Sequence, residues 1–274
     1  MSRIENALEK ASNIRAKENA GSRPVVQLDS EKGEKKKLDA PKHPYLVTVT
    51  APDSPAAEEY RKLKTMVIKL TKQDAMQKVI MVTSCTSGEG KSLTTINLAV
   101  SLAQDVSHHA LLIDADLRRP SLDRYLGINA KIGLSDCLLD GVSPSSAIIG
   151  TGIPKLDLLP AGKGARNPVE VLSSPKMRAL LGEVKRYYPE QYVIIDTPPI
   201  LPFAETQVIS MLTDCVLFVV KEGESTVQEL QDAIEIMHGA RLLGIVFNDA
   251  TTGGLDNRYR HYYRYYAAKQ RREA

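Results

Sequence analysis

Six short, continuously apolar runs recur along the chain and constrain its fold more than any other feature. They are Val79–Thr83, Ala110–Asp114, Leu156–Leu159, Tyr192–Asp196, Cys215–Val220 and Leu243–Phe247. Runs of this kind, rich in β-branched residues, are typical of strands covered on both faces, as in a parallel sheet. Patterns with helical spacing lie between them, near residues 91–104, 168–188, 205–212 and 226–238. The alternation predicts an α/β fold with a three-layer, doubly wound and mostly parallel sheet.

Two helix starts are marked by their capping residues. Ser54-Pro55 predicts a helix with Ser54 as the N-cap and Pro55 in its first turn. We expect four apolar residues to form the buried stripe of that helix: Tyr60, Leu63, Val67 and Leu70. Asn167-Pro168-x-Glu170 predicts another start, with a cap, a first-turn proline and a reciprocal glutamate.

The two ends of the chain differ in composition from the middle. Residues 1–43 are polar, and a capping box at Ser2 and Glu5 precedes apolar residues at helical spacing, which predicts a short helix before a disordered linker near 20–43. This leader is interpreted either as a docking helix or as a solvated segment. Residues 44–250 form the predicted single domain. After Asn248 a Thr-Thr-Gly-Gly break leads into the flexible, basic and tyrosine-rich tail, residues 251–274.

Composition excludes several classes of protein. No apolar run reaches the roughly 18–20 residues that span a bilayer, and the first twenty residues lack the apolar stretch of a secretory signal. The three cysteines are scattered and indicate neither a disulfide framework nor a zinc site. The net charge of +3 arises from 36 basic and 33 acidic side chains, too even to indicate nucleic-acid binding. We therefore expect a cytosolic protein without a nucleic-acid partner or a transmembrane segment of its own.

A glycine-rich loop, Ser84–Ser92, follows the first apolar run and precedes a helical pattern. This is the context of a phosphate-binding loop, in which backbone N–H groups and a helix N-terminus surround phosphate oxygens. Lys91 is expected to reach the β- and γ-phosphates, and Ser92 to ligate Mg²⁺. The usual first glycine is replaced by Cys85, which is either a small residue or a reactive thiol at a helix start. A tight turn with a surface lysine is the alternative interpretation of the loop.

Three carboxylates follow two other predicted strands. Asp114 and Asp116 come at the end of one, and Asp196 at the end of another. Ligands in open α/β sheets lie beyond the carboxyl ends of the strands, so these acids should converge on the loop of Lys91. A single aspartate after a strand is often only a helix cap, but three of them beside a phosphate loop predict a site for ATP and Mg²⁺.

Together, the phosphate loop, Asp-Ala-Asp-Leu-Arg-Arg-Pro and Ile-Ile-Asp-Thr-Pro-Pro resemble the deviant-Walker P-loop ATPases. Within these the chain is similar to the bacterial tyrosine kinases of exopolysaccharide and capsule synthesis. Related ATPases that position the division site or segregate DNA carry a signature lysine where this chain has Thr86, and Gly-Glu-Gly-Lys-Ser matches the kinase version. The resemblance covers about residues 45–266.

The resemblance implies a role for each matching residue. Lys91, Asp114 and Asp116 would be catalytic, with Asp114 as the base. Magnesium would be held by Ser92, Asp116 and Asp196. The nucleotide would be bound by Ser87, Gly88, Glu89, Gly90, Lys91, Ser92, Leu93 and, at its base, Asn248.

The tail would then carry the phosphate acceptors. Its tyrosines are Tyr259, Tyr262, Tyr263, Tyr265 and Tyr266. The resemblance implies an ATP-dependent protein-tyrosine autokinase that modifies them in trans and regulates exopolysaccharide polymerisation and export. A basic aromatic tail that binds a membrane or nucleic acid is the alternative.

Assembly and partners also follow from the resemblance. Glu58-x-x-Arg61-x-x-Lys64 matches the helix motif that mediates ring formation in the family, except for the final lysine, which cannot make a bidentate guanidinium contact. The resemblance implies a homo-oligomer, and a ring is one form of it, against which the lysine counts. The alternative is that these charges only form a solvated face of the helix. The activator would be the cytoplasmic tail of a separate membrane chain-length protein (a polysaccharide copolymerase), which would recruit the kinase to the inner face of the cell membrane. A nucleotide-dependent association switch and a scaffold with a degenerate site are the competing hypotheses.

Overall fold

The structure, a computed structural model, describes residues 39–72, 78–187 and 191–250. The strands of this part are β1 (Val79–Ser84), β2 (His109–Asp114), β3 (Ile149–Gly150), β4 (Leu156–Leu159), β5 (Gln191–Asp196), β6 (Cys215–Lys221) and β7 (Leu242–Asn248). The helices are α1 (Val47–Thr50), α2 (Pro55–Thr71), α3 (Lys91–Ala103), α4 (Leu122–Leu126), α5 (Leu134–Asp140), α6 (Pro144–Ala147), α7 (Pro168–Leu172), α8 (Pro175–Tyr187), α9 (Ala204–Ser210) and α10 (Val227–Ile236).

The strands form one sheet in the order β3-β4-β2-β5-β1-β6-β7. Every pair is parallel except β3–β4, where a two-residue strand lies antiparallel at the edge. The six apolar runs are confirmed as strands. Parallel order brings the carboxyl ends of β1, β2 and β5 to neighbouring positions, which places the phosphate loop beside the aspartates that follow the other two strands.

Two apolar cores lie on opposite faces of the sheet. Alternate residues of one strand enter different cores: Met81 packs on the side of α8, α9 and α10, whereas Ile80 and Val82 pack on the side of α2 and α3. Side chains on both faces of the inner strands are buried because helices cover both, which explains why these strands are continuously apolar. In β7, at the edge of the sheet, every residue is at least partly exposed. The predicted three-layer α/β fold is confirmed.

One predicted helix is wrong. The pattern over 168–188 predicts a single helix, but the structure has α7 and α8, separated at Ser173 and Ser174. Pro175 is the cause, because proline lacks an N–H and disfavours helical backbone in the residue before it. Pro168 does lie in the first turn of α7, although the Asn167 side chain makes no capping hydrogen bond.

Helix α2 begins as the sequence predicts, but its buried side differs from the predicted stripe at one position. Ser54 Oγ accepts a hydrogen bond from the Ala57 N–H at 3.2 Å, with Pro55 at the first position. Val67 is buried as expected, but Leu70 is exposed, and in the last turn Thr71 is buried in its place. The predicted leader helix, its linker up to residue 38 and the tail lie outside the described residues. Within the described residues, no helix is both long and apolar enough to cross a membrane.

Candidate active site

The phosphate loop connects β1 directly to α3, as the sequence predicts. Gly88 and Gly90 adopt φ values of +91° and +90°, a region that side chains with a Cβ disfavour. Gly90 also has no space for a side chain, because a Cβ there would lie 2.1 Å from Asn248 Nδ2. Lys91 and Ser92 then open α3, whose N-terminal N–H groups and dipole favour an anion.

Glu89 supports the loop through its side chain, which is fully buried. Its Oε2 accepts a hydrogen bond from the Thr86 N–H at 2.8 Å. Its Oε1 accepts one from Ser225 Oγ at 2.8 Å and a longer one from the Lys221 N–H at 3.4 Å. The carboxylate therefore fixes the shape of the loop, and any contact of Glu89 with a phosphate would come from its backbone.

Asn248, the last residue of β7, holds the same loop from outside. Its Nδ2 donates to the Glu89 carbonyl oxygen at 2.9 Å. The family resemblance implies that Asn248 binds the nucleotide base. In the structure, its amide nitrogen already donates to the Glu89 carbonyl oxygen. The edge of the sheet and the phosphate loop are thus joined by two side chains, Glu89 and Asn248.

Lys91 faces Asp116, with 3.5 Å between Nζ and Oδ2. Asp116 is buried and its Oδ1 accepts a hydrogen bond from the Arg119 N–H at 2.9 Å. The second predicted carboxylate is therefore next to the lysine of the loop. Lys91 can bind an anion and Asp116 can bind a cation, so the site offers a group for each charge at a short distance.

Asp114 is buried and organises the loop that follows β2. Its Oδ1 accepts a hydrogen bond from the Asp116 N–H at 3.1 Å, and its Oδ2 accepts from the N–H groups of Ser121 and Leu122, both at 3.0 Å. Burial, followed by repulsion from Asp196, raises the pKa of Asp114 to about 8, although the backbone donors oppose the rise. A carboxylate has about four acceptor positions, so one remains on Oδ1.

Asp196 is the carboxylate that best fits a metal ion. Thr95 Oγ1 donates to its Oδ1 at 3.2 Å, whereas its buried Oδ2 has no hydrogen-bond partner in the described part of the chain. Burial raises its pKa to about 6, and Lys91 and Ser92 lower it in part. An unpartnered buried carboxylate oxygen is costly unless a cation or donor occupies the position beside it. The described residues contain no cluster of three or more His, Cys, Asp or Glu able to hold a metal, so Mg²⁺ here would need ligands from the nucleotide or water.

The ends of β2 and β5 bring the two strand-end aspartates side by side. Asp114 and Asp196 are paired in the register of these strands, and the Ala115 N–H donates to the Asp196 carbonyl oxygen at 2.9 Å. The expected convergence of the three acids is therefore present. After burial, repulsion from Asp196 and Asp116 contributes to the raised pKa of Asp114, and repulsion from Asp116 contributes to that of Asp196.

Glu205 is a charged residue at this site that sequence reasoning missed. It is fully buried in the first turn of α9 and forms an ion pair with Arg118 Nε, while Arg118 Nη2 lies 3.3 Å from its Oε2. The guanidinium also stacks on Phe203, 4.7 Å from the ring centroid. The pair connects the loop after Asp116 to the segment after Asp196. A glutamate among the mostly apolar residues after β5 was the available signal.

Cys85 is a small buried residue and not a reactive thiol. Its side chain is fully buried at the end of β1, and burial raises its pKa. A thiol needs a lowered pKa and access to solvent to be an effective nucleophile.

The residues expected to mediate assembly lie on α2 and pair within the chain. Glu58 Oε2 and Arg61 Nε are 2.6 Å apart, and Arg61 Nη1 donates to the Pro52 carbonyl oxygen at 2.8 Å. Lys64 Nζ lies 3.5 Å from Asp105 Oδ2. The five expected acceptor tyrosines lie outside the described residues.

Comparison with known proteins adds the family context. The family model ParA, described as NUBPL iron-transfer P-loop NTPase, matches residues 75–261. The tyrosine-protein kinase YwqD of Bacillus subtilis is 36% identical over 205 residues, which cover 74% of this chain and 85% of YwqD. The phosphate loop, the strand β1 before it and the aspartates described above all fall inside the residues that the family model matches.

Longer relatives match over part of their length. The putative tyrosine-protein kinase EpsB of Ralstonia solanacearum is 34% identical over 222 residues, covering 80% of this chain and 28% of EpsB. The chain thus spans less than a third of EpsB. Among solved structures, the chimerical protein CapA2B2 superposes with a TM-score of 0.70 and 31% identity, covering 77% of this chain and 92% of that one.

Proposed function

This chain belongs to the tyrosine-protein kinase family of ParA-type P-loop NTPases, and on that premise we propose that it is an ATP-dependent protein-tyrosine autokinase. It transfers phosphate to its own C-terminal tyrosine cluster in trans, and it regulates exopolysaccharide polymerisation and export. The observation that carries the proposal is the Lys91–Asp116 pair beside the unpartnered Oδ2 of Asp196. Such a site suits a magnesium-bound polyphosphate.

The site's residues divide the work of binding MgATP. The N–H groups of the loop and of the first turn of α3 bind phosphate oxygens, and Lys91 neutralises charge on the β- and γ-phosphates. Ser92, Asp116 and Asp196 hold Mg²⁺, which supplies positive charge to the phosphate oxygens when bound. The fixed shape of the loop, held by Glu89 and Asn248, reduces the ordering needed when the nucleotide binds.

Transfer then breaks the bond between the γ-phosphorus and the β–γ bridging oxygen and forms one to a tyrosine oxygen. ADP keeps the bridging oxygen, and the tyrosine proton moves to a carboxylate. Asp114 is our candidate base: its deprotonated form is a stronger base than an ordinary aspartate, and the share of that form increases as the pH rises toward the raised pKa of about 8. The free acceptor position on its Oδ1 is the proposed proton-accepting atom.

The acceptors are the five tyrosines between Tyr259 and Tyr266. Each must reach the pocket of another copy, so transfer requires association between copies, and we propose a homo-oligomer that uses Glu58, Arg61 and Lys64. The partner is a separate membrane chain-length protein whose cytoplasmic tail recruits the kinase to the inner face of the membrane.

The test is to incubate the purified chain with MgATP, with and without a candidate activator tail, and to locate phosphotyrosine by mass spectrometry. We expect phosphotyrosine within residues 259–266, and none in Lys91→Met, because the phosphate charge is then not neutralised. A variant with the five tail tyrosines changed to phenylalanine is the matched control. Hydrolysis of ATP without any phosphotyrosine would contradict the kinase function and favour a nucleotide-dependent association switch.

A further inference from the structure

We propose that a surface at the edge of the sheet is the docking site for the tyrosine-rich segment 255–266 of a second copy of this chain. The proposal rests on the kinase function above and adds the surface that recognises the acceptor. We call it the edge surface and define it by five exposed apolar side chains. These are Val227, Ile234, Leu242, Ile245 and Phe247, with exposed fractions between 40% and 75%.

The β7 side chains of the edge surface lie on one face of the sheet. Ile245 and Phe247 are in register with Phe218 and Val220, which belong to the core beneath α9 and α10. Residues in register point to the same face, so Ile245 and Phe247 point to the side on which α10 lies. In the described residues β7 is the last strand of the sheet, and α10 leaves these two side chains exposed.

The α10 side chains face the same edge. Ala233 and Met237 of the α10 segment are buried toward the sheet, and Val227 and Ile234 lie seven residues apart, about a quarter turn round the helix from them. Since α10 crosses from β6 to β7 with the usual right-handed sense, this quarter turn directs Val227 and Ile234 toward β7. Contiguous exposed apolar surface of this kind marks interaction sites.

The charges around the edge surface match those of segment 255–266. Between residues 222 and 240 the sequence has five carboxylates and neither lysine nor arginine: Glu222, Glu224, Glu229, Asp232 and Glu235. The segment has three arginines, Arg258, Arg260 and Arg264, and one acid, Asp256. Tyrosine rings bury well on apolar side chains while their hydroxyls remain accessible. Opposite charges on the two sides favour and orient the encounter.

One end of the edge surface adjoins the phosphate loop. Val227 follows Ser225, whose hydroxyl donates to Glu89 at 2.8 Å. Phe247 precedes Asn248, whose amide donates to the Glu89 carbonyl oxygen at 2.9 Å. A segment bound along the edge surface therefore has one end beside the nucleotide site.

The direction of the chain favours a segment from a second copy. The chain leaves β7 at Asn248, the end nearest the phosphate loop. Its own segment would have to run back along β7 to cover the edge surface, which would carry Tyr259–Tyr266 away from the loop. A second copy's segment has no such connection and can present a tyrosine at the phosphate-loop end.

The experiment separates the two copies. The kinase copy has its five tail tyrosines changed to phenylalanine, and the acceptor copy carries Lys91→Met. With Ile245→Ser and Phe247→Ser in the kinase copy, we expect the KM for the acceptor copy to rise at least about tenfold, since the burial of two apolar side chains is lost. The kcat and the nucleotide affinity should stay within about twofold. The same two substitutions in the acceptor copy should change nothing.

Two further variants define what is lost. Leu139→Ser, which changes an exposed apolar residue of α5, is the matched control and should leave the KM unchanged. Glu235→Lys in the kinase copy should raise the KM, and the rise should diminish at high salt because exposed charges are screened. An unchanged KM in Ile245→Ser/Phe247→Ser, or an effect confined to the acceptor copy, overturns the docking proposal.

Peptide binding distinguishes this proposal from the proposed function. A fluorescent peptide of residues 255–266 is titrated with the full chain carrying the five phenylalanines, with and without the two serine substitutions. Binding that is lost in the serine variant, with no phosphotyrosine formed by any pair of copies, supports the docking site and contradicts the kinase function. Phosphotyrosine that forms equally well with and without the serine substitutions contradicts the docking site and leaves the kinase function standing.

Discussion

At the scale of single residues, Asp196 combines a buried charge with an unpartnered oxygen. In the unfolded chain an aspartate ionises near pH 3.8, whereas burial raises the pKa of Asp196 to about 6 in the folded state. Between these values the folded protein holds a proton that the unfolded chain has lost, and above pH 6 it carries the full cost of the buried charge. The wild-type carboxylate thus costs stability that increases from about pH 4 and levels off above pH 6.

Asp196→Asn should remove that cost. The Asn Oδ1 can still accept from Thr95, and the amide nitrogen takes the position of the unpartnered oxygen. In metal-free buffer, urea unfolding should show equal stability near pH 4 and a gain for the variant on the order of 2 kcal/mol above pH 6. A gain that is independent of pH would contradict the raised pKa. Added MgATP should reverse the order, because the variant has lost one carboxylate ligand and binds the ion more weakly than the wild type.

Glu205 is expected to act by holding the loop after Asp116 in position through Arg118. Glu205→Gln removes the charge that pairs with Arg118, which is itself 40% exposed, so the change costs on the order of 1 kcal/mol of stability and loosens the loop after Asp116. We expect the Mg²⁺ concentration for half-maximal ATP hydrolysis to rise about tenfold.

The chain offers a matched control for this change. Asp214 likewise forms an ion pair, with Lys185, and it accepts a hydrogen bond from the Val79 N–H. This pair lies at the amino ends of the strands, away from the phosphate loop. Asp214→Asn should lower stability without changing the Mg²⁺ dependence. If both variants shifted that dependence equally, the effect of Glu205 would be general destabilisation.

At the scale of elements, the phosphate loop contains two glycines in the same backbone region with different surroundings. Alanine at Gly88 meets only the strain of a positive φ, about 1–2 kcal/mol, because nothing lies within 4 Å of its Cβ. Alanine at Gly90 has the same strain and also displaces Asn248. We expect Gly90→Ala to weaken nucleotide affinity at least about tenfold more than Gly88→Ala.

A double variant identifies the cause. Adding Asn248→Ala to Gly90→Ala should recover part of the lost affinity in a titration with a fluorescent nucleotide. It should not do so in the Gly88→Ala background. Equal losses in the two single variants would show that backbone strain alone determines the affinity.

The elements also show which patterns can be trusted in the sequence. The six apolar runs predicted strands whose observed ends differ by at most one residue. Burial on both faces leaves a continuous signal at the inner strands, and β7 has the same signal although none of its residues is fully buried. The prediction of one helix over 168–188 was wrong because the apolar periodicity continues across Pro175, whereas a helical backbone is interrupted there. Helices α4, α5 and α6 have between four and seven residues, too few for a periodic pattern, and β3 has two.

At the scale of the whole molecule, the proposed homo-oligomer would use the exposed face of α2. We expect Glu58→Ala and Arg61→Ala to lower the mass of the assembly measured by analytical ultracentrifugation, because the partly exposed Arg61 can contact another copy. Lys64→Ala should lower it less, since Lys64 is turned to Asp105 of its own chain. Identical masses for all three variants and the wild type would contradict a role of this motif in assembly.

The site was predictable for residues that follow the end of a strand, and not for the partners that hold them in position. The loop and the three aspartates each follow a strand, and the rule for parallel sheets brings them together. The partners that fix their positions are far away along the chain: Asn248 and Glu89 are 159 residues apart, and Arg118 and Glu205 are 87 apart. No local pattern reports such pairs, because they depend on how strands are ordered in the sheet.

The hydrogen bonds that join the phosphate loop to residues of β6, β7 and the turn before α10 have a consequence for protein engineering. Residues 84–92 alone cannot be transferred to another protein with their structure intact. Grafted into another parallel sheet, they would bring Glu89 without Ser225 and Lys221, and so bury a carboxylate with donors missing. The smallest transferable unit is the loop together with β6, α10 and β7, which also includes the proposed edge surface.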